Sequence, residues 1–209
     1  MADEFNSTLL IQFARSPVVG RVKTRMLPVL TPRQACELHC ELVLWTRATL
    51  AGSGVGEVQL SVAGDVAHPL FAQCLELGVS RVSQQRGADL GERMYRAIRS
   101  GLRHYKNVIL VGSDCPEIDA TYLRQALSAL ERSSLVLGPA QDGGYVLIGA
   151  REIHRALFDG IPWGTEHVYG KTIESIRKLH LSWSELPVLA DVDRPEDLAA
   201  WEILRDGRA

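Results

Sequence analysis

Four cationic side chains fall within eleven residues in the stretch Arg15-Ser16-Pro17-Val18-Val19-Gly20-Arg21-Val22-Lys23-Thr24-Arg25. They surround a glycine and follow directly on an apolar run, TLLIQFA at 8–14. A polyphosphate calls for this combination. Glycine lets the backbone come close, lysine supplies a point charge, and arginine supplies a two-pronged donor. A solvated basic loop has the same composition, so the stretch alone leaves both readings open. The spacing of glycine, lysine and hydroxyl residues is not that of a Walker A loop. Ala14, at the end of the run, and Arg15, Gly20, Arg21, Lys23 and Arg25 are the candidate nucleotide contacts, with Lys23 and Arg25 placed to act on the reacting phosphates.

Carboxylates recur at three later points. Gly112-Ser113-Asp114-Cys115-Pro116 follows an apolar run at 107–112. An aspartate at the end of a central strand suits a hard Mg²⁺ or Mn²⁺, which takes one or two carboxylates together with phosphate oxygens. The competing role for Asp114 is to cap the turn before the proline. Asp142-Gly143-Gly144 fits a tight turn that brings backbone close to a ligand, or an ordinary Asp-Gly hairpin. In Asp191-Val192-Asp193-Arg194-Pro195-Glu196, Asp193 has the sequence of a helix N-cap, with Glu196 completing a capping box. Asp191 and Asp193 would also leave a strand end on the same side, where either can complete a metal site begun by Asp114.

Two softer stretches are Gln85-Arg86-Gly87-Ala88-Asp89, leading into a helix, and Trp163-Gly164-Thr165-Glu166, preceding another. Asp89 and Thr165 are plausible N-caps. The six histidines are scattered, and His39 reads as a packing or surface residue. There is no nucleophile elbow and no Ser/His/Asp arrangement. The chemistry is therefore a direct displacement at a metal-held phosphate or sugar, with the protein positioning reactants and neutralising charge.

These residues must be held by alternating strands and helices. Strands are expected at 8–14, 58–63, 79–84, 107–112, 135–138, 145–148 and 188–192. Helices are expected from a Thr31–Gln34 capping box onward, and at 68–77, 90–105, from Asp119, at 166–179 and at 195–204. That alternation implies an α/β fold: three layers, α/β/α, around a mostly parallel sheet, with ligands at the carboxyl ends of the strands. With 209 residues, no repeat and no linker, the chain reads as a single domain over 1–209.

Charge and composition narrow the function. The 23 basic and 25 acidic residues give a net charge of −2, so nothing points to nucleic acid. No apolar run is long enough for a membrane span. The start, Met1-Ala2-Asp3-Glu4, is acidic where a signal peptide would be basic. Four cysteines without zinc spacing read as reduced thiols, which suits a cytoplasmic location.

In order along the chain, PVVGRVKTRM, QQRGADLGERM, LVGSDCPEI, LGPAQDGGYVLIG, WGTEHV and DVDRPEDL resemble a bacterial family of glycosyltransferase-A-like proteins, often labelled radical-SAM/selenodomain-associated transferases. The resemblance runs over about 13–198. It implies the Rossmann-like nucleotide-diphospho-sugar transferase (GT-A) fold and places the family in that superfamily, with phospholactate guanylyltransferases as more distant relatives. It further implies that Arg21, Lys23 and Arg25 meet the nucleotide phosphates, and that Gln85, Gly87 and Asp89, with Ser113, lie near the nucleotide. Asp114 and Asp193, then Asp191, would hold Mg²⁺ or Mn²⁺. Asp142, Gly143, Gly144, Trp163, Thr165 and Glu166 would face the sugar or an unknown small-molecule acceptor. Ser113-Asp114-Cys115 stands where many sugar transferases carry Asp-X-Asp.

Nucleotidyl transfer from a nucleoside triphosphate to a phosphorylated small molecule is the favoured reading, because a triphosphate calls for more cations than a sugar nucleotide. Glycosyl transfer from a sugar nucleotide and a non-catalytic nucleotide-binding module are the alternatives. The expected assembly is a monomer or a homodimer.

Overall fold

The computed structural model describes residues 7–207, and the acidic start at residues 1–4 lies outside them. A seven-stranded sheet runs β1 (Thr8–Arg15), β2 (Glu57–Ala63), β3 (Arg81–Gln84), β4 (Asn107–Val111), β5 (Leu135–Pro139), β6 (Tyr145–Ala150) and β7 (Trp183–Glu185) in chain order. Across the sheet the order is β3-β2-β1-β4-β6-β5-β7. Only β6 runs against the others, pairing antiparallel with both β4 and β5. The expected mostly parallel α/β sheet is what forms.

Helices α1 (Pro32–Gly52), α2 (Pro69–Glu76), α3 (Leu90–Gly101), α4 (Ala120–Leu130), α5 (Val168–Lys178) and α6 (Leu198–Asp206) connect the strands. β1 and β4 are central and their side chains are buried on both faces, which is why they read as unbroken apolar runs. One face of the sheet packs against α1, α2 and α4 through Leu10, Val43, Leu60, Phe71 and Leu123. The other packs against α3 and α5 through Leu9, Ile11, Met94, Ile98 and Ile176. A third cluster joins the site's two chain segments: Met26 from the basic loop and Val192 and Trp201 from the C-terminal segment meet Ala35, Leu38 and Leu42 of α1. Trp45 and Trp201 close it edge to face, with ring centroids 5.0 Å apart.

Local signals set most element starts. Thr31 Oγ1 accepts from Gln34 N, and the Gln34 side chain answers to the Thr31 backbone N–H, so the capping box forms as expected. Asp89 caps α3 and Asp119 caps α4 through their side-chain oxygens.

The later chain departs from expectation. Residues 188–192 are not a strand and touch the sheet only through a bridge between Ala140 and Leu189, while the last strand lies earlier, at β7. Within 188–192 only Val192 is buried, against Ala35, Leu38 and Leu42 of α1, while Val188 is exposed, so the apolar residues of the run do not share a sheet face. α5 starts two residues after Glu166, and its N-cap position is His167 rather than Thr165. The 195–204 segment splits into a 3-10 turn (Pro195–Asp197) followed by α6. α3 ends at Gly101, where a Cβ would lie 2.8 Å from Val108 Cγ2 and 2.9 Å from Leu9 Cδ2.

Candidate functional site

Three adjoining chambers open beyond the carboxyl ends of β1 and β4. The first, of about 340 Å³, is lined by Ala14, Arg15, Gln85, Arg93, Ser113 and Asp114 among others. Asp114 also lines the second, of about 230 Å³, with Asp142, Gly144, Trp163, Thr165 and Asp191. Asp142, Thr165 and Asp191 continue into a third of about 540 Å³, which adds Arg25, Gly143, Glu166 and Asp193. Asp114 thus lies where the first and second chambers meet.

Lys23 sits beneath that junction. Its Nζ is 2.7 Å from Asp114 Oδ1 and donates to the Val192 carbonyl at 2.6 Å. The Lys23 side chain is 4% exposed and the Asp114 side chain 48%. The backbone at Lys23 is left-handed, with φ 49° and ψ 40°, an uncommon conformation for a residue with a Cβ. The amide of Val192 in turn donates to the Asp114 carbonyl at 2.7 Å. The basic loop, the end of β4 and the C-terminal segment are therefore tied at one point. Burial alone would raise the pKa of Asp114, but the Lys23 ammonium, backed by His39 and Arg15, holds it below the usual carboxylate range.

Around it the carboxylates crowd. Burial pushes Asp191 up to about 6, helped by the charges of Asp142, Asp193 and Asp114. Arg25 pairs with Asp193, and that hydrogen bond raises the arginine's pKa further. The Asp193 carboxylate is free to do so because it caps nothing. Asp197 takes that task, accepting from the amides of Asp193 and Arg194 at 2.9 and 2.7 Å.

The oxygen donors have the hard character that Mg²⁺ or Mn²⁺ prefers, and a divalent cation would relieve their mutual repulsion. Among the described residues, however, no group of three or more His, Cys, Asp or Glu side chains is gathered as a metal cage. A cation here would have one or two carboxylates from the chain and would need oxygens of a bound ligand to complete its shell.

Several sequence candidates turn out to serve the scaffold. Ser113 donates to Phe13 O at 2.8 Å and accepts from Gln12 Nε2 at 2.9 Å, tying β1 to β4. Gln85 reaches Ala14 O and Ser61 O, so it fixes the cleft wall as well as lining it. Gly87, with φ 152°, would place a Cβ 2.7 Å from Arg93 N. Gly143, with φ 86°, brings its backbone against Glu166, not against open cleft: a Cβ would lie 2.7 Å from Glu166 Cα. Asp142 accepts from Gly144 N at 2.8 Å, shaping the turn. Gly20 and the exposed Arg21 line none of the three chambers, and neither do Gly87 and Asp89.

His39 takes the packing side of its packing-or-surface reading, while Gln12, Tyr145, Arg93 and Met94 were not read from the sequence as site residues. His39 is buried, and its Nε2 is 2.8 Å from Arg15 O, where it braces the base of the basic loop. Burial lowers its pKa below the usual imidazole value, while the Arg15 carbonyl and the nearby Asp114 charge oppose that shift. Gln12 is fully buried within an apolar strand and also donates to Val43 O. A polar residue inside such a run is the one signal that would have marked it. Tyr145, Arg93 and Met94 complete the first chamber.

With this geometry in hand, similarity becomes specific. Residues 46–165 match the family described as "Uncharacterized protein conserved in bacteria (DUF2064)". The chain belongs to that family. A crystal structure from Desulfovibrio desulfuricans G20, provisionally assigned as a nucleotide-diphospho-sugar transferase, is 33% identical. It superposes with a TM-score of 0.81 over 90% of this chain and 82% of that one. The family member therefore has the nucleotide-diphospho-sugar transferase fold that the motifs implied.

More distant structures share the fold alone. The inositol-1-phosphate CTP transferase from T. maritima matches at 15% identity and TM-score 0.61, covering 96% of each chain. A CMP:2-keto-3-deoxy-manno-octonic acid synthetase complexed with CTP matches at 12% and 0.59, covering 97% of this chain and all of that one. No curated protein sequence matches the chain. No helix of the described residues is long and apolar enough to cross a membrane.

Proposed function

We propose that this transferase-fold chain is a nucleotidyltransferase that depends on a divalent metal. It would join the nucleotidyl group of a nucleoside triphosphate to a phosphorylated small molecule. The observation that carries this reading is the Lys23–Asp114 pair, set where the first and second chambers meet, with Arg15 lining the first and Arg25 the third. An acceptor phosphate oxygen would attack the α-phosphorus, the bond to the bridging oxygen of the β-phosphate would break, and pyrophosphate would leave. Arg15 lines the first chamber, where it can neutralise the triphosphate; Lys23 would act from beneath through Asp114; and Arg25 lines the third chamber, where it can meet the acceptor phosphate once Asp193 releases it.

Asp114 with Asp191 or Asp193 would hold Mg²⁺ or Mn²⁺, which would supply Lewis-acid polarisation of the phosphate oxygens. Asp114 and Asp191 share a chamber wall, whereas Asp193 is occupied by Arg25. That favours Asp191 as the second ligand. The buried His39 and Gln12 keep the loop and strand ends in place and touch no reacting group.

Of the structures sharing the fold, one is named a CTP transferase and another is a synthetase complexed with CTP, which supports the class of chemistry without fixing the base. Glycosyl transfer from a sugar nucleotide is the second reading. The third chamber carries Asp142, Glu166 and Asp191, groups that accept from sugar hydroxyls, and the Desulfovibrio relative's assignment favours it. The test is a product assay with each nucleoside triphosphate and a panel of sugar and alditol phosphates, with Mg²⁺ or Mn²⁺. Pyrophosphate release that is lost in Lys23→Ala supports the first reading. Release of nucleoside diphosphate from a sugar nucleotide, with no pyrophosphate from any triphosphate, replaces it with the second.

A further inference from the structure

A fourth cavity, of about 700 Å³, opens on the α3 side of the sheet and adjoins the first chamber through Gln85 and Arg93, without reaching Asp114. Its origin is a missing layer. α1 and α2 cover β2 and β3 on one face, where Val58, Leu60 and Val62 enter the core. On the opposite face α3 packs chiefly over β4, and β2 and β3 have no helix laid along them to match α1 and α2: Gln59 and Ser83 are half-buried and Arg81 is exposed. The sequence matches that arrangement. Gln59 and Ser61 alternate with the apolar residues of β2, and their register partners on β3 are Arg81 and Ser83. Polarity therefore rises from Ile11 through Gln59 to Arg81 across one row of the sheet. A face meant for another helix would be apolar here.

The walls are cationic. Arg81 and Arg86 come from the β3 side, Arg93, Arg96 and Arg99 from α3, and Arg103 from the turn beyond it. At 100° per residue the α3 arginines share about one third of the helix circumference. Six of the chain's 23 basic residues line this one groove, in a protein whose net charge is −2, and no carboxylate lines it. Arg96 is paired with Glu92, Arg93 donates to Gly87 O, and Arg99 lies over the Tyr95 ring. Among the described residues Arg81, Arg86 and Arg103 take part in no ion pair.

We propose that this groove docks an extended acidic segment of a partner protein, laid beside β3. Three observations select that occupant. The charge is complementary to several anionic oxygens, and arginine's planar fork suits carboxylates. β3 is an edge strand with β2 on one side only, so one row of its backbone groups has no strand partner and can pair with an added strand. Among the described residues the rings lining the groove are Tyr105, which is tied to Glu57, and its neighbour His104, so there is no row of stacking rings of the kind that single-stranded nucleic acids use. Alternate residues of a strand repeat at about 6.8 Å, which lets one edge of the segment meet the arginines of β3 and α3 in turn.

The probe is a fluorescein-labelled decapeptide of alternating Glu and Val, titrated against the whole chain by anisotropy. Amide hydrogen exchange is followed in parallel. Binding should weaken as salt rises, slow the exchange of Arg81–Gln84 amides, and fall by about tenfold or more in Arg81→Glu/Arg99→Glu/Arg103→Glu. The melting temperature checks the fold of that variant. If it does not fold, Arg81→Gln/Arg103→Gln is used, with a proportionately smaller loss expected. No binding, equal binding by the folded variant, or binding without protection of β3 overturns the proposal. So does tighter binding of oligo-dT or tripolyphosphate at the same arginines, which would assign the groove to phosphate.

Discussion

Replacing Lys23 by Met keeps most of the buried side-chain volume and removes the charge at the centre of the site. Two interactions are lost: the ion pair to Asp114 and the bond to the Val192 carbonyl. Breaking a fully buried pair costs about 3–5 kcal/mol, and breaking a surface pair at most about 1 kcal/mol. Here the ammonium is buried and the carboxylate is half exposed, at 4% and 48%, so the pair falls between those limits, at about 2 kcal/mol. The carbonyl adds about 1 kcal/mol. Relief of the ammonium's own desolvation offsets part of the sum, leaving a loss of about 2 kcal/mol. In a chain of this length that lowers Tm by about 4–8 °C.

The assay is thermal and urea unfolding of wild type, Lys23→Met, Asp114→Asn and the double variant. The double-mutant cycle should return a coupling of about 1–2 kcal/mol. Calorimetric titration with nucleoside triphosphates should show affinity lost in Lys23→Met. A Tm within about 1 °C of wild type together with no coupling would refute the reasoning. It would mean that Lys23 is held by packing alone and that the tie between the loop and the C-terminal segment is not electrostatic.

Ser113→Ala should lower stability by about 1–2 kcal/mol, through its bonds to Phe13 and Gln12, while nucleotide affinity by calorimetry stays unchanged. A large affinity loss would return the hydroxyl to the nucleotide. Gly143→Ala should destabilise by more than about 2 kcal/mol, since a left-handed backbone and contact with the Glu166 backbone act together, as chemical denaturation will measure. Burial pushes the Cys115 thiol up to about 12 and Cys40 up to about 11, whereas thiols in an unfolded chain ionise at about 8.5. Their folded pKa values are raised, so their contribution to stability is complete below about pH 8.5 and declines as pH rises above it. Unfolding curves between neutral and alkaline pH will test the sign. Time-resolved alkylation should find both thiols slow in the native protein and fast in urea.

How much was legible in the sequence depends on the range of the interaction. The Thr31–Gln34 capping box, the Asp89 and Asp119 caps and the apolar runs of β1 and β4 are local, and each was readable from a few neighbouring residues. The motif order also sufficed for the family and its fold. The C-terminal segment was not legible because Val192 is held by Ala35, Leu38 and Leu42 of α1 and by Met26 and Lys23, all distant in the chain. The same distance hid the division of labour among its carboxylates, with Asp197 capping, Asp193 meeting Arg25 and Asp191 lining the chambers.

The glycines show the boundary plainly. The sequence established that Gly143 and Gly144 mark a turn. Only the packed structure decided that the close approach at Gly143 is to Glu166. Composition likewise established that the chain has no basic excess, yet the fold gathers six arginines into one groove. Charge type and local propensity are written residue by residue. Which charges become neighbours is decided by the sheet order and by the helix layer that covers one face of β2 and β3 but not the other.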